Sequence, residues 1–345
     1  MNNNKNFYNQ INKSESLKLN HHKVLIRNIN NIEKSSSLIQ KRKMTTTSIN
    51  KNLNPWFVTG FTDAEGTFGV YLAKNDKRST GWAVNIRFQL HLHFKDKALL
   101  EEIKTFFGGV GTISNHDNKS VYYEVRSVSE LEIIIQHFNK YPLLSQKHAD
   151  FILFKSIVDI INKKESNTHE GILKIVALKA SMNKGLSLEL KDSFSNIIPA
   201  TRTTVITETI LNPWWLVGFA SGEGCFFINI SKSATKVGAR VQLIFKITQH
   251  TRDIQLIKNL ISYLDCGRLN QPSGYDYVEF FVQRFAGITD KIIPVFERYP
   301  LLGAKLKDYE DFRKAVELMK SKAHLTLAGL EEIKKIKSGM NFKRK

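Results

Sequence analysis

The chain has 345 residues, with a formal net charge of +19 that points to a polyanionic partner. It has no apolar run of transmembrane length and no signal-peptide core, so nucleic acid is favoured over a membrane surface. Its two cysteines, Cys225 and Cys266, lack CxxC or Cys/His spacing, which suggests neither a zinc site nor a disulfide framework and fits a reducing interior.

Residues 1–50 stand apart, with 11 Asn, nine Lys or Arg and two acids, and they read as a disordered basic extension. The stretch 53–70, LNPWFVTGFTDAEGTFGV, then recurs without a gap 158 residues later as 211–228, LNPWWLVGFASGEGCFFI. Each copy reads as a helix of about three turns, with Asn54 or Asn212 as cap, Pro55 or Pro213 at the first position and Gly66 or Gly224 at the end. Gly60 and Ala64, like Gly218 and Gly222, stand four apart on one face, a spacing that lets another helix backbone approach closely. The natural partner is the other copy, which brings Glu65 and Glu223 together at two helix C-termini. The dipole is negative there and like charges repel, so a divalent cation with oxygen ligands is the expected compensation. The bland alternative, two packed helices whose acids do nothing, leaves the joint recurrence of acid and glycine unexplained.

After the first copy, a strand is predicted at 67–74, a turn at 75–81 and a second strand at 84–94. The second strand alternates cleanly: Ile86, Phe88, Leu90, Leu92 and Phe94 face inward, and Asn85, Arg87, Gln89, His91 and His93 face outward. The second half repeats this at 239–249, with Arg240, Gln242, Ile244, Lys246 and Thr248 outward. Such a face offers donors and acceptors to base edges and phosphates. Helices are predicted around 97–107 and 252–264. Two further strands in each half would present Tyr122, Glu124 and Arg126, and Tyr277, Glu279, Phe281 and Gln283. Later helices keep the 158-residue offset in Tyr141-Pro142-Leu143-Leu144 against Tyr299-Pro300-Leu301-Leu302, in Lys147 against Lys305, and in Met182-Asn183 against Met340-Asn341. The expected fold class is therefore α+β, with units at 51–192 and 211–345, a polar Thr-rich linker at 193–210 and a solvated basic end at Lys343–Lys345.

The repeated motif and the order of the chain over about 53–341 resemble the LAGLIDADG homing endonucleases, in particular the single-chain, two-repeat I-OnuI group of fungal mitochondrial introns. Both copies depart from the ideal motif by carrying Glu for its final Asp, and Ser221-Gly222 replaces the usual acid-small pair, so Asp63 lacks an acidic counterpart and reads as supporting. The resemblance implies two pseudo-symmetric αββαββα units, each with a four-stranded antiparallel sheet, forming a saddle over double-stranded DNA. It also implies Mg²⁺ held by Glu65, Glu223 and the main-chain carbonyls of Ala64 and Gly222, with Mn²⁺ as a substitute and Ca²⁺ binding without cleavage. One cut in each strand across the minor groove, a monomer, mitochondrial location and promotion of intron mobility follow from it too. A basic group near the scissile phosphate is usual in the family; Lys147 and Lys305 are the candidates, with Gln89 and Gln242 as water-positioning groups. The Asn-rich extension then fits translation from an intron reading frame, with the core beginning near Met44 or Leu53. A competing reading is an RNA maturase that assists group I intron splicing on the same fold, alone or beside cleavage. A non-catalytic duplicated regulator would leave the paired acids without a reason.

Overall fold

The computed structural model describes residues 53–205 and 212–341. The expectations for residues 1–50, for the end of the linker and for Lys343–Lys345 lie outside the described residues. The first half runs α1 (Pro55–Glu65), β1 (Gly66–Lys74), β2 (Trp82–His93), α2 (Lys97–Phe106), β3 (Thr112–Asn115), β4 (Ser120–Val125), α3 (Val128–Lys140), α4 (Lys147–Asn162) and α5 (His169–Ala180). After a short α6 (Leu188–Ser193), the series repeats as α7 (Pro213–Glu223), β5 (Gly224–Lys232), β6 (Ala239–His250), α8 (Ile254–Leu264), β7 (Arg268–Asn270), β8 (Tyr277–Val282), α9 (Ile293–Arg298), α10 (Ala304–Lys320) and α11 (Leu327–Ser338). Two four-stranded sheets result, ordered β1-β2-β4-β3 and β5-β6-β8-β7, and every neighbouring pair is antiparallel. The fold class is the α+β one expected.

The motif helices start and stop as their sequences dictate. Asn54 accepts from the Trp56 amide and Asn212 from the Trp214 amide, each at 2.9 Å, with proline at the first helical position of both. At the other end, helix passes into strand with no loop. A Cβ on Gly66 would lie 2.7 Å from the Thr62 carbonyl oxygen, and one on Gly224 would lie 2.4 Å from that of Ala220, so only glycine fits the change of direction.

The inner face of each sheet packs under its own helices around a central phenylalanine. Phe68 touches Phe88, Phe138, Phe151 and Phe154, with ring centroids 5.4–5.7 Å apart. Phe226 meets Phe245, Phe296, Tyr309 and Phe312 in the corresponding places, at 4.9–5.7 Å. These aromatic clusters anchor the sheets and leave the opposite faces outward.

The stretch read as a polar linker is docked where it is described. Arg202 donates to Asp150 at 2.5 Å, to the Ser181 carbonyl at 2.9 Å and to the Gln146 carbonyl at 3.1 Å, and Phe194 packs on Trp82. A cation that satisfies the carbonyl at the C-terminal end of α5, a second carbonyl at the start of α4 and a buried carboxylate fixes a segment whose composition alone reads as loose.

Candidate active site and nucleic-acid face

α1 and α7 pack against each other backbone to backbone. A Cβ on Gly60 would lie 2.0 Å from the Trp215 carbonyl oxygen, and one on Gly218 would lie 2.1 Å from that of Phe57. Nearer the C-terminal ends, a Cβ on Gly222 would meet the Ala64 Cβ at 2.5 Å and the Glu65 Oε1 at 3.0 Å. The two motif glutamates therefore arrive together, as their spacing predicts.

Burial pushes both carboxyls above the ordinary range, Glu65 upward and Glu223 up to about 7, and the neighbouring Glu65 charge adds to the rise at Glu223. Lys147 and Lys305 lie close enough to lower both in part. The Gln249 side chain also lies near the Glu223 carboxylate and lowers it in part. The donor set suits a hard divalent cation. Among the described residues no group of three His, Cys, Asp or Glu forms a closed metal cage, and two carboxylates at abutting helix ends match the pattern by which a hard divalent cation is held jointly by protein acids and substrate phosphates.

The two lysines occupy equivalent places and differ in state. The Lys147 ammonium donates to the carbonyls of Thr62 and Asp63 at 2.8 Å and of Ala64 at 3.2 Å, satisfying the C-terminal end of α1. Burial lowers its pKa, while Asp63, Glu65 and Glu223 pull it back. Ala64, a predicted metal ligand, thus has its carbonyl engaged by an ammonium. Lys305 is half-buried, and its ammonium makes no hydrogen bond or ion pair among the described residues.

Asp63 lies beneath the glutamates. Its buried carboxylate accepts from the Leu144 amide (2.8 Å), from the Ser145 amide (3.1 Å) and hydroxyl (2.5 Å), and across the helix pair from the Trp215 indole (2.7 Å). Ser221, its counterpart, accepts from the Leu302 amide at 3.2 Å. Two more carboxylates link the halves reciprocally: Asp253 accepts from the Gln146 amide at 2.7 Å and Asp96 from the Ala304 amide at 2.6 Å. Each caps the helix that carries the other half's lysine.

On the outward faces Asn85, Arg87, Gln89, His91 and His93 line β2, and Arg240, Gln242, Lys246 and Thr248 line β6, with the parity expected. Register corrects the pairing of Gln89 with Gln242. Gln89 stands opposite Thr67, next to the first motif, whereas Gln242 stands opposite Asn229, well down the strand from Glu223, and its Oε1 accepts from the Asn229 side-chain Nδ2 at 3.3 Å. The place equivalent to Gln89 is held by Lys246, opposite Cys225. Gln249, which does reach Glu223, continues the inward parity of Phe245 and Ile247 and was missed for that reason.

Glu124 and Glu279 have the outward parity expected but are only 3% and 5% exposed. Arg87 (2.9 Å) and Arg126 (2.7 Å) pair with Glu124, and Lys246 (2.7 Å), Asn270 (2.7 Å) and Thr248 (3.3 Å) surround Glu279. They order the basic residues around them and do not themselves face solvent. Tyr122 and Tyr277 are half-buried on the same faces, and Gln283 follows directly after β8.

Comparison with known proteins agrees with this geometry. The sequence profile of the LAGLIDADG endonuclease matches residues 58–158 and 216–316. "Probable intron-encoded endonuclease 3" of Neurospora crassa is 38% identical over 295 residues, covering 85% of this chain, and the chain spans 55% of that relative's length. The structure of the I-SmaMI LAGLIDADG homing endonuclease bound to cleaved DNA superposes with a TM-score of 0.83 at 44% identity, covering 85% of this chain and 98% of that one. I-SmaMI bound to uncleaved DNA in the presence of calcium ions gives 0.82 at 45%, covering 84% and 99%. With two matched repeats that between them take in both motif glutamates, the chain belongs to the LAGLIDADG endonuclease family.

Proposed function

We propose that the chain is a sequence-specific DNA endonuclease that cuts both strands of one long, asymmetric site with a stagger, with Mg²⁺ as its metal. The observation that carries this reading is the pair of buried carboxylates, Glu65 and Glu223, at abutting helix ends beside two outward sheet faces rich in Arg, Lys, Gln and His. The I-SmaMI complexes with cleaved DNA and with calcium support it. When bound, a divalent cation supplies charge stabilisation at the phosphate and acidifies a water. Glu65 and Glu223 hold it, with the Gly222 carbonyl as a further donor, and Gln249 fixes the orientation of Glu223. Lys305 offers an ammonium to a phosphate near both glutamates, while Lys147 rigidifies the helix end that carries Glu65. The sheets follow the major groove, where Arg87, Gln89, Arg240 and Lys246 combine phosphate neutralisation with base readout.

The halves present different side chains at equivalent places, so the target is non-palindromic. Both halves lie in one chain, which therefore acts as a monomer. The intron-encoded endonucleases of Neurospora crassa and a mitochondrial protein of Saccharomyces cerevisiae among the relatives support an origin in a fungal mitochondrial intron, and the double-strand break promotes that intron's mobility. Digestion of a randomised DNA library with Mg²⁺, followed by sequencing of the ends, tests the reading. Staggered cuts at one asymmetric site, lost in the Glu65→Gln/Glu223→Gln protein, are expected. An intact protein that leaves all DNA uncut yet binds structured intron RNA would replace this reading with a splicing role.

A further inference from the structure

Two of the exposed large apolar side chains lie on the outward sheet faces: Tyr71 (45% exposed) and Phe227 (39%). Tyr71 has a polar partner within the fold. Arg87 lies over its ring at 4.4 Å and donates to its hydroxyl at 2.8 Å, and Gly69 leaves room for both. Phe227 stands at the place of Gly69, opposite Ile244, which replaces Arg87 and is only 9% exposed. The Lys337 ammonium lies over the Phe227 ring, 5.5 Å from its centroid, and covers only part of it, the residue staying 39% exposed. Where the first half offers a guanidinium, the second offers an aromatic ring on an aliphatic floor.

An apolar ring on a face otherwise built for base edges and phosphates gains by burial only against something apolar. In the major groove the base edges offer one such group, the thymine 5-methyl. We propose that Phe227, backed by Ile244, selects thymine through its methyl group at one base pair of the half-site facing the second sheet. Phe227 lies four residues beyond Glu223 along an extended strand. At about 3.3 Å per residue that is roughly 13 Å, which places the thymine roughly four base pairs from the cut. The equivalent pair in the other half-site faces Arg87 and carries no such preference. The inference rests on the endonuclease reading above and deepens it.

The test uses the full chain and the target recovered from the library. Each thymine is replaced in turn by deoxyuridine, which removes the methyl and leaves the hydrogen-bonding edge unchanged, and binding is measured with Ca²⁺ in place of Mg²⁺. One replacement, close to the cut and in one half-site, should weaken binding about four-fold, the worth of one buried methyl group. Phe227→Ala should bind thymine and deoxyuridine targets equally at that pair, and Phe227→Leu should keep the discrimination. Melting curves of both variants that match the parent establish that each is folded. The inference is overturned if no replacement near the cut weakens binding, or if the sensitive thymine stays sensitive in folded Phe227→Ala. A parent protein that cuts no DNA overturns the endonuclease reading instead, a result that no site-by-site replacement could mimic.

Discussion

The two motif helices share a backbone path and differ in what they bury. In one diagonal pair, Asp63 of α1 accepts from the Trp215 indole of α7; in the other, Ser221 faces the half whose corresponding aromatic is Phe57. The steric constraint is the same on both sides, since each glycine meets a carbonyl of the opposite helix. The polar interior is not. Duplication has held the close approach of the helices while the chemistry beneath it diverged, so one half rests on a buried anion and its donors and the other on a hydroxyl.

The divergence sets the order of expected effects. Asp63→Ala leaves the Leu144 and Ser145 amides and the Trp215 indole without their acceptor, at a cost of about 3 kcal/mol or more, while Ser221→Ala costs about 1 kcal/mol. Denaturant unfolding of the two variants checks the ratio, and equal losses would break the comparison. The lysines should separate next. Lys147→Met removes an ammonium from three carbonyls and should destabilise by about 2 kcal/mol, whereas Lys305→Met should leave stability unchanged and slow cleavage by roughly 100-fold. Melting temperatures beside single-turnover rates distinguish these outcomes.

A further difference between the halves shows only at acid pH. His137, buried against Phe106, Phe107 and Tyr141 with its Nε2 3.1 Å from the Thr59 hydroxyl, has its pKa pushed by burial from 6.5 down to about 3. Its counterpart in the second half is Val295. Between those values the unfolded chain binds the proton and the folded chain does not. The contribution is therefore fully present above pH 6.5 and is lost as pH falls, by about 2 kcal/mol at pH 5. A stability profile of His137→Leu should lack that slope.

Much of this was legible in the sequence because steric demands repeat. The glycines, the caps and the glutamates recur at one offset, and alternation in β2 and β6 sorts their faces. What stayed hidden depends on register and on neighbours across the chain. The turn before β6 is one residue shorter than the turn before β2, so the 158-residue offset slips there and Gln89 corresponds to Lys246, while Gln242 lies four residues further from the motif. Gln249 lies on the inward parity, where sequence patterning expects core. Asp96 and Asp253 each precede a helix of their own half, which conceals that they cap a helix of the other. Glu124 and Glu279 show the right parity, and only the surrounding Arg and Lys side chains reveal that they are covered.

In the proposed function, Glu65 and Glu223 form one chemical centre separate from the DNA-reading faces. Its most direct test compares the Glu65→Gln and Glu223→Gln proteins with the parent on the selected target, measuring cleavage in Mg²⁺ and binding in Ca²⁺. Either substitution should lower cleavage by about 1,000-fold while target binding is retained. A variant that still cuts at the parent's rate, or one that loses DNA binding together with cleavage, would contradict it.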